Sequence, residues 1–164
     1  MTETSAKRIQ NAAELGRYLR EHRQGQASTI RNTSHFTNLG ERFISEIERG
    51  KASASLNKTL QYINLLGLSL HLYPRHVLSI KPPYGAYGEL ESIGALLRHH
   101  RKIQGTTLET VKQLSGLGLR FLSDFERGKN CQIGKAFLAF KTYGLVLAIA
   151  PKHYRLNKAD LLNG

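Results

Sequence analysis

The segment GERFISEIERGK at residues 40–51 returns as GLRFLSDFERGK at residues 118–129. With the offset held at 78, residues 15–51 match 93–129 at 16 of 37 positions, among them Gly16, Leu19, Arg23, Leu39, Arg42, Phe43, Glu48 and Gly50. One residue is lost after Lys129, and at an offset of 77 GLSLHLYPRH (67–76) falls on GLVLAIAPKH (144–153). A chain of 164 residues that repeats itself over this span has room for two small units and little else. Each unit, at roughly 65 to 70 residues, lies near the lower limit for a core of its own. The expected order is a polar head (1–10), a first unit (11–76), a linker (77–89), a second unit (90–152) and a tail (153–164). In the 17 residues PRHVLSIKPPYGAYGEL (74–90), Pro82, Pro83, Gly85 and Gly88 leave no room for a regular element, whereas VLSI has strand-like character and either adds a strand or packs against a unit.

Within the first unit, AELGRYLREHRQ (13–24) sets Leu15, Tyr18, Leu19 and the stem of Arg23 on one side of an amphipathic helix. Ser28 and Thr29 are suited to cap a short second helix ending near residue 36. Asn38 or Gly40 then supplies a turn, mirrored by Gly116 and Gly118. ERFISEIERG makes a third helix that buries Phe43, Ile44 and Ile47 and stops at Gly50. LNKTLQYINLLG (56–67) carries Leu56, Leu60, Ile63 and Leu66 on the inner face of a fourth helix, and LSLHLY (68–73) alternates as a strand does. The second unit repeats the order, with helices near 90–102, 106–114, 118–127 and 134–143 and the strand LVLAIA (145–150). Short helices with a tight turn between the second and third define a mainly α chain of helix-turn-helix type.

A formal charge of +12 from 24 Lys and Arg against 12 Asp and Glu calls for a polyanionic partner. The basic residues are spread along helices without one long apolar face opposite them, so nucleic acid fits better than a membrane surface. The N-terminus lacks an apolar signal core and no run is long enough to span a bilayer, so the expected location is the cytoplasm, in association with the nucleoid. The single cysteine, Cys131, excludes an internal disulfide and a cysteine-based zinc site. Seven histidines show no HxxxH or HExxH spacing, and His99 and His100, on different faces of one helix, are expected at the surface. No phosphate loop or nucleophile elbow occurs. No metal, cofactor or catalytic activity is expected.

LETVKQLSGLGLRFLSDFERGK and FISEIERGK resemble the Xre-type (Cro and phage-repressor-like) helix-turn-helix family, and LLGLSLHLYPR resembles the ending of HipB-type antitoxins. The resemblance covers roughly 130 of the 164 residues and implies two tandem lambda-repressor-like domains, each ending in a short β-strand that pairs with the other or with a second chain. A glutamine common at the start of the family's second helix is replaced by Ile30 and Leu108. A recognition helix reads base edges from its first turn and one turn further along. The matched positions are Glu41, Arg42, Ser45 and Glu46 in the first copy, and Leu119, Arg120, Ser123 and Asp124 in the second. Thr29, Arg49, Lys51, Thr107, Arg127 and Lys129 are the phosphate candidates. Structural ion pairs of Arg23 with Glu48 and Arg101 with Glu126 are implied by the resemblance. The function that follows is a sequence-specific double-stranded DNA-binding regulator, a repressor reading an imperfect inverted repeat with two recognition helices per chain. Its assembly is either an intramolecular pseudo-dimer through strands 68–73 and 145–150 or a homodimer with four heads. The alternative is an antitoxin that neutralises a HipA-like kinase toxin and regulates its own operon.

Overall fold

A computed structural model describes residues 6–162. Its elements run β1 (Lys7–Arg8), α1 (Ala12–Gly25), α2 (Ile30–Thr37), α3 (Glu41–Glu48), α4 (Leu56–Leu65), β2 (Leu68–Pro74), β3 (Gly85–Tyr87), α5 (Leu90–Ile103), α6 (Leu108–Ser115), α7 (Leu119–Glu126), α8 (Ile133–Tyr143), β4 (Leu145–Pro151) and α9 (Lys158–Leu162). Local chemistry sets most of the boundaries. Asn11 Oδ1 accepts from the Glu14 amide at 2.9 Å while Glu14 Oε2 accepts from the Gln10 amide at 2.8 Å, a reciprocal cap that starts α1. Thr29 and Thr107 cap α2 and α6 more simply, each hydroxyl oxygen accepting from the amide three residues on. Of the two candidate turn residues, Asn38 takes the left-handed conformation (φ 56°), as does Gly116 (φ 78°). Gly40 and Gly118 stay extended as the N-caps of α3 and α7.

The four strands form one antiparallel sheet in the order β1-β4-β2-β3. Its register is self-complementary. Leu68 faces Pro151 and Pro74 faces Leu145, so His71 faces Ala148, its own counterpart at the offset of 77. Strands β1 and β3 obey the same symmetry: Arg8 pairs with Ala148, and Ala86, 78 residues on, pairs with His71. Each unit therefore lends its leading strand to the closing strand of the other.

This exchange corrects three expected boundaries. The head 1–10 contains β1, the linker 77–89 contains β3, and the tail contains α9, whose Leu161 is buried. Pro82 and Pro83 bar only their own positions, and the free edge of β2 offers ladder partners to the three residues that follow Tyr84. Of the two arrangements open to VLSI, a strand or packing against a unit, the second holds: Val77 and Ile80 pack against Tyr73, Ala148 and Leu161 on the outer face of the sheet.

One hydrophobic core runs through both units, including Leu19, Ile47 and Leu72 from the first and Leu97, Phe125 and Ile149 from the second. Helices α1 and α3 meet backbone to backbone at Gly16, where a Cβ would lie 2.4 Å from the Ile47 carbonyl oxygen. Gly94 meets the Phe125 oxygen at 2.5 Å in the same sense. The obstructing atoms are main chain and cannot swing aside. Gly16→Ala and Gly94→Ala are each expected to lower the unfolding free energy by about 1–3 kcal/mol, read from urea midpoints, although alanine is the better helix former.

Candidate nucleic-acid interface

Helices α3 and α7 present one face to solvent and bury the other. Ile44, Ile47 and Glu48 point inward from α3, as do Leu122, Phe125 and Glu126 from α7. On the outer side Glu41, Arg42, Leu119 and Arg120 are exposed, and Ser45, Glu46, Ser123 and Asp124 are half-buried one turn on. Both sets of base-reading candidates thus share one solvent-facing side of their helix.

The inward glutamates are held from three directions. Arg23 Nε and Nη2 each donate to Glu48 at 2.7 Å, Arg23 Nη1 donates to the Ser28 carbonyl at 2.6 Å, and the Tyr62 hydroxyl donates to Glu48 at 2.5 Å. The second unit repeats this with Arg101 on Glu126 at 2.7 and 2.8 Å, Arg101 Nη1 on the Thr106 carbonyl at 3.0 Å, and Tyr143 on Glu126 at 2.6 Å. Burial, and then the hydrogen bond to the adjoining carboxylate, push both phenols far above the ordinary tyrosine range. The carboxylate bonds hold both guanidiniums protonated. These clusters pin the first helix of each unit to the recognition helix.

The outward acids are engaged as well. Glu46 takes Arg42 Nε at 3.0 Å and Lys51 Nζ at 3.0 Å, and Asp124 takes Arg127 Nη2 at 2.5 Å and Lys129 Nζ at 3.4 Å. The Lys51 bond first and the Arg42 bond second hold the Glu46 carboxyl below the usual carboxylate range; Arg127 and then Lys129 do so for Asp124. Both acids are thus paired with cations of their own unit. The two copies differ at the arginine: Arg42 rests on Glu46, whereas Arg120 has no carboxylate partner among the described residues. Of the remaining phosphate candidates, Arg49 is exposed with Nε on the Ser45 carbonyl at 3.3 Å, and the Thr29 and Thr107 hydroxyls cap their helices.

A second set of contacts joins the segments that follow α3 and α7. The loops that follow α3 and α7 meet at the pseudo-dyad, where Ser55 bridges Gln132, its own counterpart. The Leu56 amide donates to the Cys131 carbonyl at 2.8 Å, and the Ile133 amide to the Ala54 carbonyl at 2.9 Å. Asn130 adds Oδ1 to the Asn57 amide and Nδ2 to Ser55 Oγ, both at 2.9 Å. The loops that leave α3 and α7 are thereby joined to each other. Cys131 lies in this seam, and burial pushes its thiol up to about 12. The seam leaves no pattern in the sequence, because loop residues that join two copies carry no periodicity. The repeat offset, which changes from 78 to 77 within these loops, was the available signal. Lys58 and Lys135 were not among the expected contacts; 77 residues apart, they lie over the rings of Phe43 and Phe121 beside each recognition helix. His100, expected at the surface, is buried, with Nδ1 at 2.7 Å from the Tyr84 hydroxyl. The linker folds back over α5 and covers it.

No described helix is long and apolar enough to cross a membrane, and the described residues hold no cluster of three metal-ligating side chains. No family model matches the chain, and no solved structure matches it. Over 58 residues it is 41% identical to y4mF of Sinorhizobium fredii (strain NBRC 101917 / NGR234), an uncharacterized HTH-type transcriptional regulator; the match takes in 35% of this chain and 76% of that protein. With two buried arginine-glutamate clusters behind two solvent-facing helices, and a relative of which it spans three quarters, the chain belongs to the helix-turn-helix-type transcriptional regulators.

Proposed function

We propose that this chain is a single-polypeptide pseudo-dimer: two tandem lambda-repressor-like units of Xre type that read an imperfect inverted repeat in double-stranded DNA and repress by occluding a promoter. The observation that carries this reading is the self-complementary register of β2 on β4, repeated in the seam at Ser55 and Gln132. Two-fold DNA-binding dimers place their recognition helices about 34 Å apart, one turn of the duplex. Here one chain supplies both helices and the two-fold relation between them. The protein works in the cytoplasm, on the nucleoid, and performs no catalysis. Arg42 and Arg120 are the main base readers, each able to grip the O6 and N7 of a guanine. Glu41 in one head stands where Leu119 stands in the other, and leucine offers only apolar contact, as to a thymine methyl. The two half-sites therefore differ. Thr29, Thr107, Arg49, Arg127, Lys51 and Lys129 hold phosphates, joined by Lys58 and Lys135.

Selection of bound sequences from random duplex DNA tests this reading, and a two-part site with half-site centres one helical turn apart is expected. Enrichment of a single half-site, or of none, would overturn it. On the selected site, Lys51→Ala and Lys129→Ala should each flatten the slope of log affinity against log salt by about one and weaken all sequences alike. Anisotropy titrations at several salt concentrations measure this.

A further inference from the structure

We propose that the chain binds a small amphipathic organic anion, a carboxylate or phosphate on an apolar body, in the cavity between β1, the end of β2 and α8. The cavity encloses about 590 Å³, within the range of small-molecule sites. Its apolar wall is Phe137, Phe140, Leu145 and Leu147. Its polar side carries Arg75 and Lys141, with His76 beside them and Arg8 at its edge, and no carboxylate of the described residues lines it. An anionic head on an apolar tail matches both walls; a cation or a purely polar solute matches neither.

A further observation from the internal repeat points the same way. At the matching place around β3 and α4, Asn64 stands for Lys141, and Leu60 and Ile63 for Phe137 and Phe140, while Lys152 and His153 keep the character of Arg75 and His76. The duplicated framework does not require that cation or those rings, which lie together on one side of the pseudo-dyad.

Decanoate is the probe, with decylammonium as the same body of opposite charge and inorganic phosphate as a head without a body. Calorimetric titration of the full chain is expected to give one saturable decanoate site, no decylammonium binding there, and phosphate binding at least about a hundredfold weaker. Arg75→Glu and Lys141→Glu, both at exposed positions, should each weaken decanoate at least tenfold. Lys102→Glu, an equal change of net charge on the exposed side of α5, should leave it unchanged. A saturating ligand should also raise Tm by several degrees, a gain that Lys141→Glu reduces at the same ligand concentration. Equal binding of decylammonium, or decanoate binding indifferent to both charge reversals, would overturn the proposal. None of these readouts involves DNA.

Discussion

Replacing Glu48 by alanine should cost about 3–5 kcal/mol of unfolding free energy, because it leaves one partner of a buried ion pair behind. Three of its neighbours lose their acceptor at once: Arg23 Nε, Arg23 Nη2 and the Tyr62 hydroxyl, all in a part of the core that water does not reach. A domain of this size has roughly 5–15 kcal/mol in total, so the loss approaches half of it. Urea unfolding followed by circular dichroism measures the change. Because one core spans both units, the variant should still unfold in a single transition, shifted as a whole. Two separate transitions, with only the first shifted, would show that the halves are thermodynamically independent. Arg23→Met combined with Glu48→Leu should recover much of the loss, since replacing both partners by apolar groups leaves no buried charge unpaired.

The double variant Arg42→Ala and Arg120→Ala should lose about one and a half to four decades of affinity for the selected operator while keeping its non-specific binding, at about 1–3 kcal/mol for each guanine contact. The arginines sit in different heads and share no partner, so the single effects should add. Arg42 must first leave Glu46 to reach a base, whereas Arg120 has no such carboxylate to leave among the described residues. That difference decides little, since an exposed ion pair contributes far less than a desolvated bidentate contact to guanine. Each single variant is expected to blur one half-site in a sequence selection and leave the other readable. Equal blurring of both halves by either change would contradict independent heads.

The recognition helices were legible in the chain because their information is local and doubled. Thr29 caps α2 and Thr107 caps α6, Gly50 and Gly128 end the third helices at positive φ, and Ile44 with Ile47 marks the buried stripe of α3. The strands 68–73 and 145–150 were also readable, and their pairing within one chain stood among the expected arrangements. What lies outside the periodic segments was not legible. Arg8 in β1 and Ala86 in β3 have no strand-like context of their own, and they become strands because β4 and β2 present open edges to them. His100 reads as half of a surface pair until the linker folds over it with Tyr84.

By itself the sequence determined the two helical units, their outward arginines and their surplus of positive charge, since caps, turn residues and a 3.6-residue period act within a few positions along the chain. Only the tertiary structure decided that each unit lends a strand to the other, that the loops after α3 and α7 join at the dyad, and that Glu46 and Asp124 are already held by cations. Those outcomes depend on which edges meet, at separations from Leu72 with Gly85 to Lys7 with Ile149, or on how exposed side chains settle, and neither leaves a period in the chain.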